Sequence, residues 1–546
     1  MWPAKGTING TFGTIPIDHA SANSRVEAFI GRRERCRFER NRTLMTSKPN
    51  IILIITDQQR ADTIAALGAP WMHTPTLDRL VREGAAYTNC FVTSPVCVGS
   101  RASLFTGMYP HAGGVFTNFH PWQPSWVRWL ADAGYHCASI GKMHINPYDA
   151  LGGFHQRFAV ENKDRPLFLE ERDRAFYDEW DKALHARKLI KPSRYTRVAA
   201  DSDGYSKALG AFAWDLDEDM HSDMFIGDHA LWWLEERKST APLLLQIGFP
   251  GPHPPYDPVP RHLERYADVD IPLPQVGHDQ RARQPRSQAE LRQNMIRNNY
   301  DSVAWQERPS ADALLRLRRH YAANVSMIDE KVGQIIDTLG HRGYLDNALV
   351  IFTSDHADAL GDHGHIQKWT MYDSVVRVPL VFWAPGRIAA RAPSDDLVQM
   401  MDIAPTILEA AGIDVPSNWE ARSLLPALSG GAAVGRDVVY AELARDHIQT
   451  GAEFIAMRRD RDWKLVYYMG EPDGELYDLR ANPGETCNLW DDAGQRARRD
   501  ALVKEVLEWS MRGNLRSRMS ASRKPQQPML IKPAGTEPAG AGGIGR

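Results

Sequence analysis

The chain has 546 residues, 43% of them hydrophobic, enough for a sizeable core and, at this length, for one large domain with a smaller one beside it. Lys plus Arg total 65 and Asp plus Glu 68, a net charge of -3 that gives no support for a nucleic-acid partner or a polybasic membrane surface. The five cysteines, Cys36, Cys90, Cys97, Cys137 and Cys487, are too few and too irregular for a disulfide framework and fit a reducing, cytoplasmic setting.

No stretch is apolar for long enough to span a bilayer, and the first residues carry charges without the apolar segment of a secretory signal. Residues 1–44 are expected to be a disordered extension, with "MTSKPNIILIITDQQR" from Met45 reading as a natural start. "NIILIIT" is a β-branched run of the kind buried on both faces of a sheet, and Asp57, Gln58 and Gln59 follow it directly. "HTPTLDRLVREG" reads as a helix, with Thr74 as N-cap, Pro75 at the first position and Gly84 at the end. "AAYTNCFV" is a second strand, after which "SPVCVGSRASLFTG" carries Cys97 into a helix expected to begin near Ser100. "YHCASIG" is a further strand, ending at "GKMH".

Residues from roughly 150 to 220 are rich in charge and aromatics with weak periodicity and are expected to be an insertion. "DMFIGDHALWWLEERK" resumes a helix, and the buried strand "PLLLQIGF" runs into "PGPHPPYDPVP", whose prolines bar both a central strand and a helix. Residues 262–310 are expected to pass over the surface. "YAANVSMIDEKVGQIIDTLG" is a helix with Val325, Ile328, Val332, Ile335, Ile336 and Leu339 on one face. "ALVIFTS" leads as a strand into "DHADALGDHGH"; "VPLVFWAP" is a strand and "DDLVQMMDIAPTILEAAG" is expected to be a helix.

This alternation predicts an α/β fold: a large, mostly parallel or mixed sheet sandwiched by helices, over residues 45–436. From about 437 "DWKLVYYMG" and "GELYDL" predict a small antiparallel sheet, and a helix over 495–511 follows, giving a C-terminal α+β subdomain over 437–514. Residues 515–546, rich in Pro, Gly, Ala and Ser, are expected to be a disordered tail.

In an open α/β sheet ligands bind beyond the carboxyl ends of the strands. Three predicted strands end there in polar groups: Asp57-Gln58, His253 and Asp355-His356. Oxygen donors with an imidazole suit a divalent metal, although each taken alone reads first as an ordinary loop residue at a strand end. A helix starting just after Cys97 would aim free N–H groups and a positive dipole at its sulfur, and Arg101 adds a cation, so a thiolate or another anion would be stabilised there. The alternative is a small buried packing residue, which is the reading for Cys90 and Cys137.

The chain resembles the type I sulfatases, including the choline-sulfatase-like and phosphonate-monoester-hydrolase-like members of the alkaline phosphatase superfamily. The resemblance runs from about Lys48 to about Trp509 in "KPNIILIITDQQRAD", "TPTLDRLVREGAAYTNCFVTSPVC", "RASLFTGMYPH", "AGYHCASIGKMH", "PHPPY", "SDHADALGDHGHIQK", "RVPLVFWAPG" and "ELYDLRANPGETCNL". It implies a sulfuric ester hydrolase in which Cys97 is oxidised by a formylglycine-generating enzyme, a transient partner. One oxygen of the hydrated aldehyde, activated by metal, attacks sulfur; the other lets the sulfated adduct collapse. It further implies Asp57, Gln58, Asp355 and His356 as ligands of one divalent ion, calcium or alternatively manganese, with Arg101 stabilising the nucleophile. Lys142, His144, His253 and Lys368 would hold the sulfuryl oxygens and assist proton transfer, and Asn118 would contact substrate. Asp362, His363 and His365 are expected to play supporting roles outside the ligand set.

The chain departs from the family pattern at three places, the metal-ligand positions being one of them. Gly99 stands at the third position of the signature Cys-x-Pro/Ala-x-Arg, Gln58 where many members have a second Asp, and Ala357 where Gly follows "SDH". His356 also stands where some members have Asn. Two alternatives therefore stay open: a phosphonate monoester or phosphodiester hydrolase using the same site, and a non-catalytic relative. The substrate is expected to be a small anionic ester; aromatics such as Trp180, Trp214 and Trp305 read equally as packing on its alcohol portion or as core, and homo-oligomerisation is left open.

Overall fold

The computed structural model describes residues 48–521, apart from 119, 122–124, 162, 164–167, 171–173, 275, 277, 278 and 433–435. The expected extension over 1–44 lies outside these residues. The apolar runs become strands β1 (Asn50–Asp57), β2 (Ala85–Phe91), β3 (His136–Gly141), β4 (Gln156–Ala159), β5 (Phe168–Glu170) and β6 (Arg174–Phe176). They continue with β7 (Leu243–Pro252), β8 (Ala348–Ser354), β9 (Arg377–Trp383) and β10 (Ser394–Gln399). Eight form one sheet in the order β10-β2-β9-β8-β1-β7-β3-β4, and β5 pairs with β6 separately. Only β9 runs against its neighbours β2 and β8, so the sheet is mostly parallel.

The principal helices are α1 (Pro75–Glu83), α2 (Cys97–Thr106), α3 (Ser222–Glu236), α4 (Ala311–His341), α5 (Ile403–Ala410) and α6 (Arg496–Ala521). Successive side chains of β1 point to opposite faces. Ile51, Leu53 and Ile55 pack with Leu104 and Phe105 of α2 and Ile403 of α5. Ile52 and Ile54 pack with Ile226 and Leu234 of α3 and Ile328 and Val332 of α4. Both faces are therefore covered, and each fully buried Ile contributes roughly 1.5–3 kcal/mol. A central parallel strand held on both sides fixes where its carboxyl end lies.

β11 (Val439–Ala444), β12 (Phe454–Arg459), β13 (Trp463–Tyr468) and β14 (Gly474–Asp478) form an antiparallel sheet in chain order. Leu502, Val506 and Trp509 of α6 pack against its Leu465 and Leu476.

The structure corrects several expectations. α2 begins at Cys97 itself, with Val96 in extended backbone as its N-cap. "DDLVQMMDIAPTILEAAG" is not one helix: its first part pairs in parallel with β2 as β10, and a single turn at Met400–Asp402 separates it from α5. A run with apolar residues on both faces satisfies a sheet edge as well as a helix, and here the free edge of β2 decides. The region from 150 to 220 is more regular than expected, since β4 extends the sheet and helices cover Glu179–Ala186, Arg194–Ala200 and Ser202–Lys207. α6 continues to Ala521, past the boundary expected at 514. Trp180, Trp214 and Trp305 are core residues. Cys90, Cys97, Cys137 and Cys487 are free thiols, and no helix among the described residues is long and apolar enough to cross a membrane.

Candidate active site

Strands β8, β1, β7 and β3 are consecutive and parallel in the sheet. Register pairs Thr56 with Ser354, Asp57 with Pro252 and Gly141 with Gly248, so the four carboxyl ends lie on one edge. Asp57 closes β1, Lys142 follows β3, His253 follows β7, and Asp355-His356 follow β8. α2 enters from the other side and sets Cys97 at its first turn, where backbone N–H groups have no helical acceptor.

One side-chain atom each from Asp57, Cys97, Asp355 and His356 lies within 4.8 Å of the others, and all four residues are buried. The two carboxylates are each divided between a cation and the centre of this group. Asp57 Oδ2 accepts from Lys142 Nζ, while its Oδ1 is buried without a partner. Asp355 Oδ2 accepts from Arg101 Nε at 2.6 Å, while its Oδ1 accepts the N–H groups of Gln58 and His356 at 3.1 and 2.9 Å. His356 Nδ1 donates to the Ala357 carbonyl at 3.0 Å, so the neutral ring carries its lone pair on Nε2, also without a partner; burial opposes protonation, but the Asp355 and Asp57 carboxylates raise the ring above its ordinary value when no cation is bound. That nitrogen sits 3.4 Å from Asp57 Oδ1 and 3.8 Å from Asp355 Oδ1. Orphaned buried acceptors facing one another are costly as they stand. They fit a divalent cation, to which Gln58 can add its amide oxygen from a left-handed backbone position, φ 73°.

Cations close the site. Arg101, one turn beyond Cys97 and fully buried, also donates from Nη1 to the Lys142 carbonyl at 2.9 Å, so it ties α2, β3 and β8 together. Lys368 Nζ lies 2.8 Å from His253 Nε2, 3.3 Å from Gln58 Oε1 and 3.9 Å from Cys97 Sγ. His253 Nδ1 donates to the Pro254 carbonyl at 2.7 Å, so Nε2 is the acceptor for Lys368. Burial works to raise the Cys97 thiol, yet Lys368, His144 and Lys142 hold it well below its ordinary value. Burial likewise opposes ionised Asp57, and Lys142 with the surrounding histidines and Lys368 outweighs it.

These groups border a cavity of about 360 Å³ lined by Cys97, Asn118, Lys142, His144, His253 and Lys368. The structure thus brings the expected site residues together, with Asp57, Gln58, Asp355 and His356 behind the cavity wall. Asp362, His363 and His365 lie apart: Asp362 pairs with Arg60 and Arg318, His363 stacks on Tyr372 at 3.7 Å, and His365 meets Gln288.

Other residues at the site escaped the sequence reading. Asp301 places Oδ2 3.5 Å from His253 Nε2 and 3.8 Å from Lys368 Nζ, from a left-handed position with φ 49°. Glu161 accepts the His144 N–H at 2.9 Å and sets that residue's place. Asp358 accepts from Gln58 Nε2 at 2.6 Å behind the wall. Phe116, Tyr300, Trp369, Asp446 and His447 complete the rim. Of these, only Asp358, inside "SDHADALGDHGH", had a local signal; the others arrive by long-range folding.

The sulfatase family model matches residues 49–413, and a model described as N-sulphoglucosamine sulphohydrolase, C-terminal, matches residues 361–512. An arylsulfatase of Clostridium perfringens is 27% identical over 481 residues, covering 84% of this chain and 94% of its own. A choline-sulfatase of Rhizobium meliloti is 30% identical over 460 residues, covering 82% and 83%. A phosphonate monoester hydrolase of Agrobacterium radiobacter superposes with a TM-score of 0.67 at 25% identity, covering 85% of this chain and 96% of its own. With its fold, the side-chain cluster at its strand ends and the family match in agreement, the chain belongs to the sulfatase family, within the type I group of the alkaline phosphatase superfamily.

Proposed function

We propose that this sulfuric ester hydrolase works on a small anionic ester with formylglycine derived from Cys97 and one divalent cation held by Asp57, Gln58, Asp355 and His356. The observation that carries the reading is the meeting of the Cys97 side chain with the orphaned Asp57 Oδ1 and His356 Nε2 inside a ring of Arg101, Lys142 and Lys368. When present, hydrated formylglycine supplies a nucleophilic oxygen and a route for releasing sulfate, and the cation supplies Lewis acidity. Three oxygen-bearing side chains suit calcium, and the His356 nitrogen makes manganese the alternative.

The chain's own groups do the rest. Lys142, His144 and Lys368 face the cavity beside Cys97, where they hold sulfuryl oxygens as charge spreads in the transition state. His253 Nε2, oriented by the Nδ1–H bond to Pro254, accepts from Lys368, so the proton for the departing alcohol is held on Lys368 Nζ and His253 serves as its partner in the transfer. Asn118 contacts the substrate from the cavity wall. Arg101 acts through Asp355 and keeps that carboxylate aimed at the cation site. Burial of these charges keeps their fields from being screened. A formylglycine-generating enzyme is the transient partner, and the free thiols support a cytoplasmic setting.

A second reading, phosphonate monoester or phosphodiester hydrolysis at the same site, is favoured by the neutral donors Gln58 and His356 and by the likeness to the phosphonate monoester hydrolase. Steady-state kinetics on matched aryl sulfate, phosphonate monoester and phosphodiester substrates separate the two. Sulfate turnover slower by orders of magnitude than the other two would overturn the sulfatase reading.

A further inference from the structure

Asp358 is fully buried and lies three residues beyond Asp355. All four of its donors are uncharged. Its Oδ1 accepts the backbone N–H groups of Leu360 and Gln367 at 2.9 and 2.8 Å. Its Oδ2 accepts from Gln58 Nε2 at 2.6 Å and from the Tyr256 hydroxyl at 2.7 Å. One carboxylate thereby touches Gln58, the residue next to Lys368, and the end of the segment that carries His253.

The contact with Gln58 has a chemical consequence. A primary amide can be turned either way with little change in shape, so its orientation follows from its neighbours. Here one side of the Gln58 amide meets a carboxylate, which only accepts, and the other meets the Lys368 ammonium, which only donates, at 3.3 Å. Both neighbours demand the same orientation: nitrogen toward Asp358, oxygen toward Lys368 and the cation site. With the amide reversed, an N–H would point at the cation and two oxygens would meet at hydrogen-bond distance.

We propose that Asp358 is a positioning residue that fixes the Gln58 amide with its oxygen toward the cation site, and that residues 58 and 358 form a reciprocal pair, one carrying the carboxylate and the other the amide. This inference rests on the assignment of Gln58 to the cation site. It also accounts for Gln at a position where an acidic residue would set two carboxylates against each other: in this chain the charge has moved one residue outward, to Asp358.

The reciprocal form of the pair supplies the test. Asp358→Asn is isosteric, and its remaining oxygen can still accept from Leu360 and Gln367, so the local backbone keeps its bonds. Its new side-chain NH₂ group faces Gln58 Nε2, and the Gln58 amide must turn over to accept from it, presenting N–H to the cation site. Adding Gln58→Glu restores an acceptor on both sides, since a carboxylate at position 58 can take a bond from the new amide at position 358 and still offer oxygen to the cation. The experiment is calorimetric titration of calcium, and separately of manganese, into chelator-stripped full-length protein, with thermal melts of each variant.

D358N is expected to weaken cation binding about 10- to 100-fold, the usual effect of losing a partner that orients a ligand. The double variant D358N/Q58E is expected to return to within about threefold of the parent and to bind more tightly than Q58E alone, in which two carboxylates face each other; added charge without the reciprocal pair would instead make Q58E alone the tighter binder and overturn the inference. Parental affinity in folded D358N, or no recovery in a folded double variant, overturns the inference. If D358N does not fold, the double variant carries the test, and its failure to fold and bind also overturns the inference. A parent that binds neither ion overturns the cation assignment itself, and the inference with it.

Discussion

Lys368 offers the sharpest perturbation of the charge arrangement. Its ammonium is buried and reaches four groups of the site: His253, Gln58, Asp301 at 3.8 Å and, at 3.9 Å, the sulfur of Cys97. Two unit charges about 4 Å apart interact by about 4 kcal/mol at an effective dielectric of about 20. That is the ceiling for an interaction with a charge still developing, and removal of one such preorganised donor ordinarily costs about 10²- to 10³-fold in rate. Lys368→Met keeps the length of the side chain and removes the charge. With 4-nitrophenyl sulfate as substrate, kcat/KM is expected to fall by about 10²- to 10³-fold, as long as Cys97 conversion, measured in the same preparation, matches the parent. A loss below about tenfold in a folded, equally converted variant would refute the claim that Lys368 acts on the reacting group.

Arg101→Met removes the partner of fully buried Asp355 and is expected to destabilise the fold by about 3–5 kcal/mol, read by chemical denaturation. Chelation of the cation is expected to lower the melting temperature, because Asp57 Oδ1 and His356 Nε2 then face each other unpartnered; readdition at about 100 times the dissociation constant should restore about 2.7 kcal/mol. Burial alone would raise the Asp257 carboxyl, but Lys163 and His221 hold it at about 2, below its unfolded value. Its contribution, roughly 2 kcal/mol, is therefore complete above the unfolded pKa and disappears as pH falls toward the folded one. Acid titrations of stability should show that loss in the parent and a shallower one in Lys163→Met.

The sequence pattern was most legible where a local rule and the global fold agree. The run from Ile51 to Ile55 has to be a buried strand, and the polar residues just after such strands have to meet at the sheet edge; Asp57, Asp355 and His356 do so. It was least legible where partners are remote. β10 reads as part of a helix until the open edge of β2 is known. The start of α2 moved from Ser100 to Cys97 because extended Val96 ends the loop earlier than the glycine and serine suggested. Asp301 and Glu161 reach the cavity through segments with no periodicity, so nothing near them in the chain announces a role. The tryptophans were open in the sequence between pocket and core: Trp180 and Trp214, in the expected insertion, and Trp305, in the expected surface excursion, all fill the core, and the rim uses Phe116, Tyr300 and Trp369.

The site is proposed to be built around an aldehyde at position 97. Gly99 bears on it, since a Cβ there would approach Ser94 Oγ to 2.9 Å, so the folded turn favours glycine at the position where the modification signature usually has Pro or Ala. Mass spectrometry of the peptide containing Cys97, from protein made with and without a co-expressed formylglycine-generating enzyme, tests the claim most directly when activity is measured on the same samples. At least partial conversion to formylglycine is expected, with activity that rises with it. Full activity from protein in which Cys97 is entirely an unmodified thiol would contradict it.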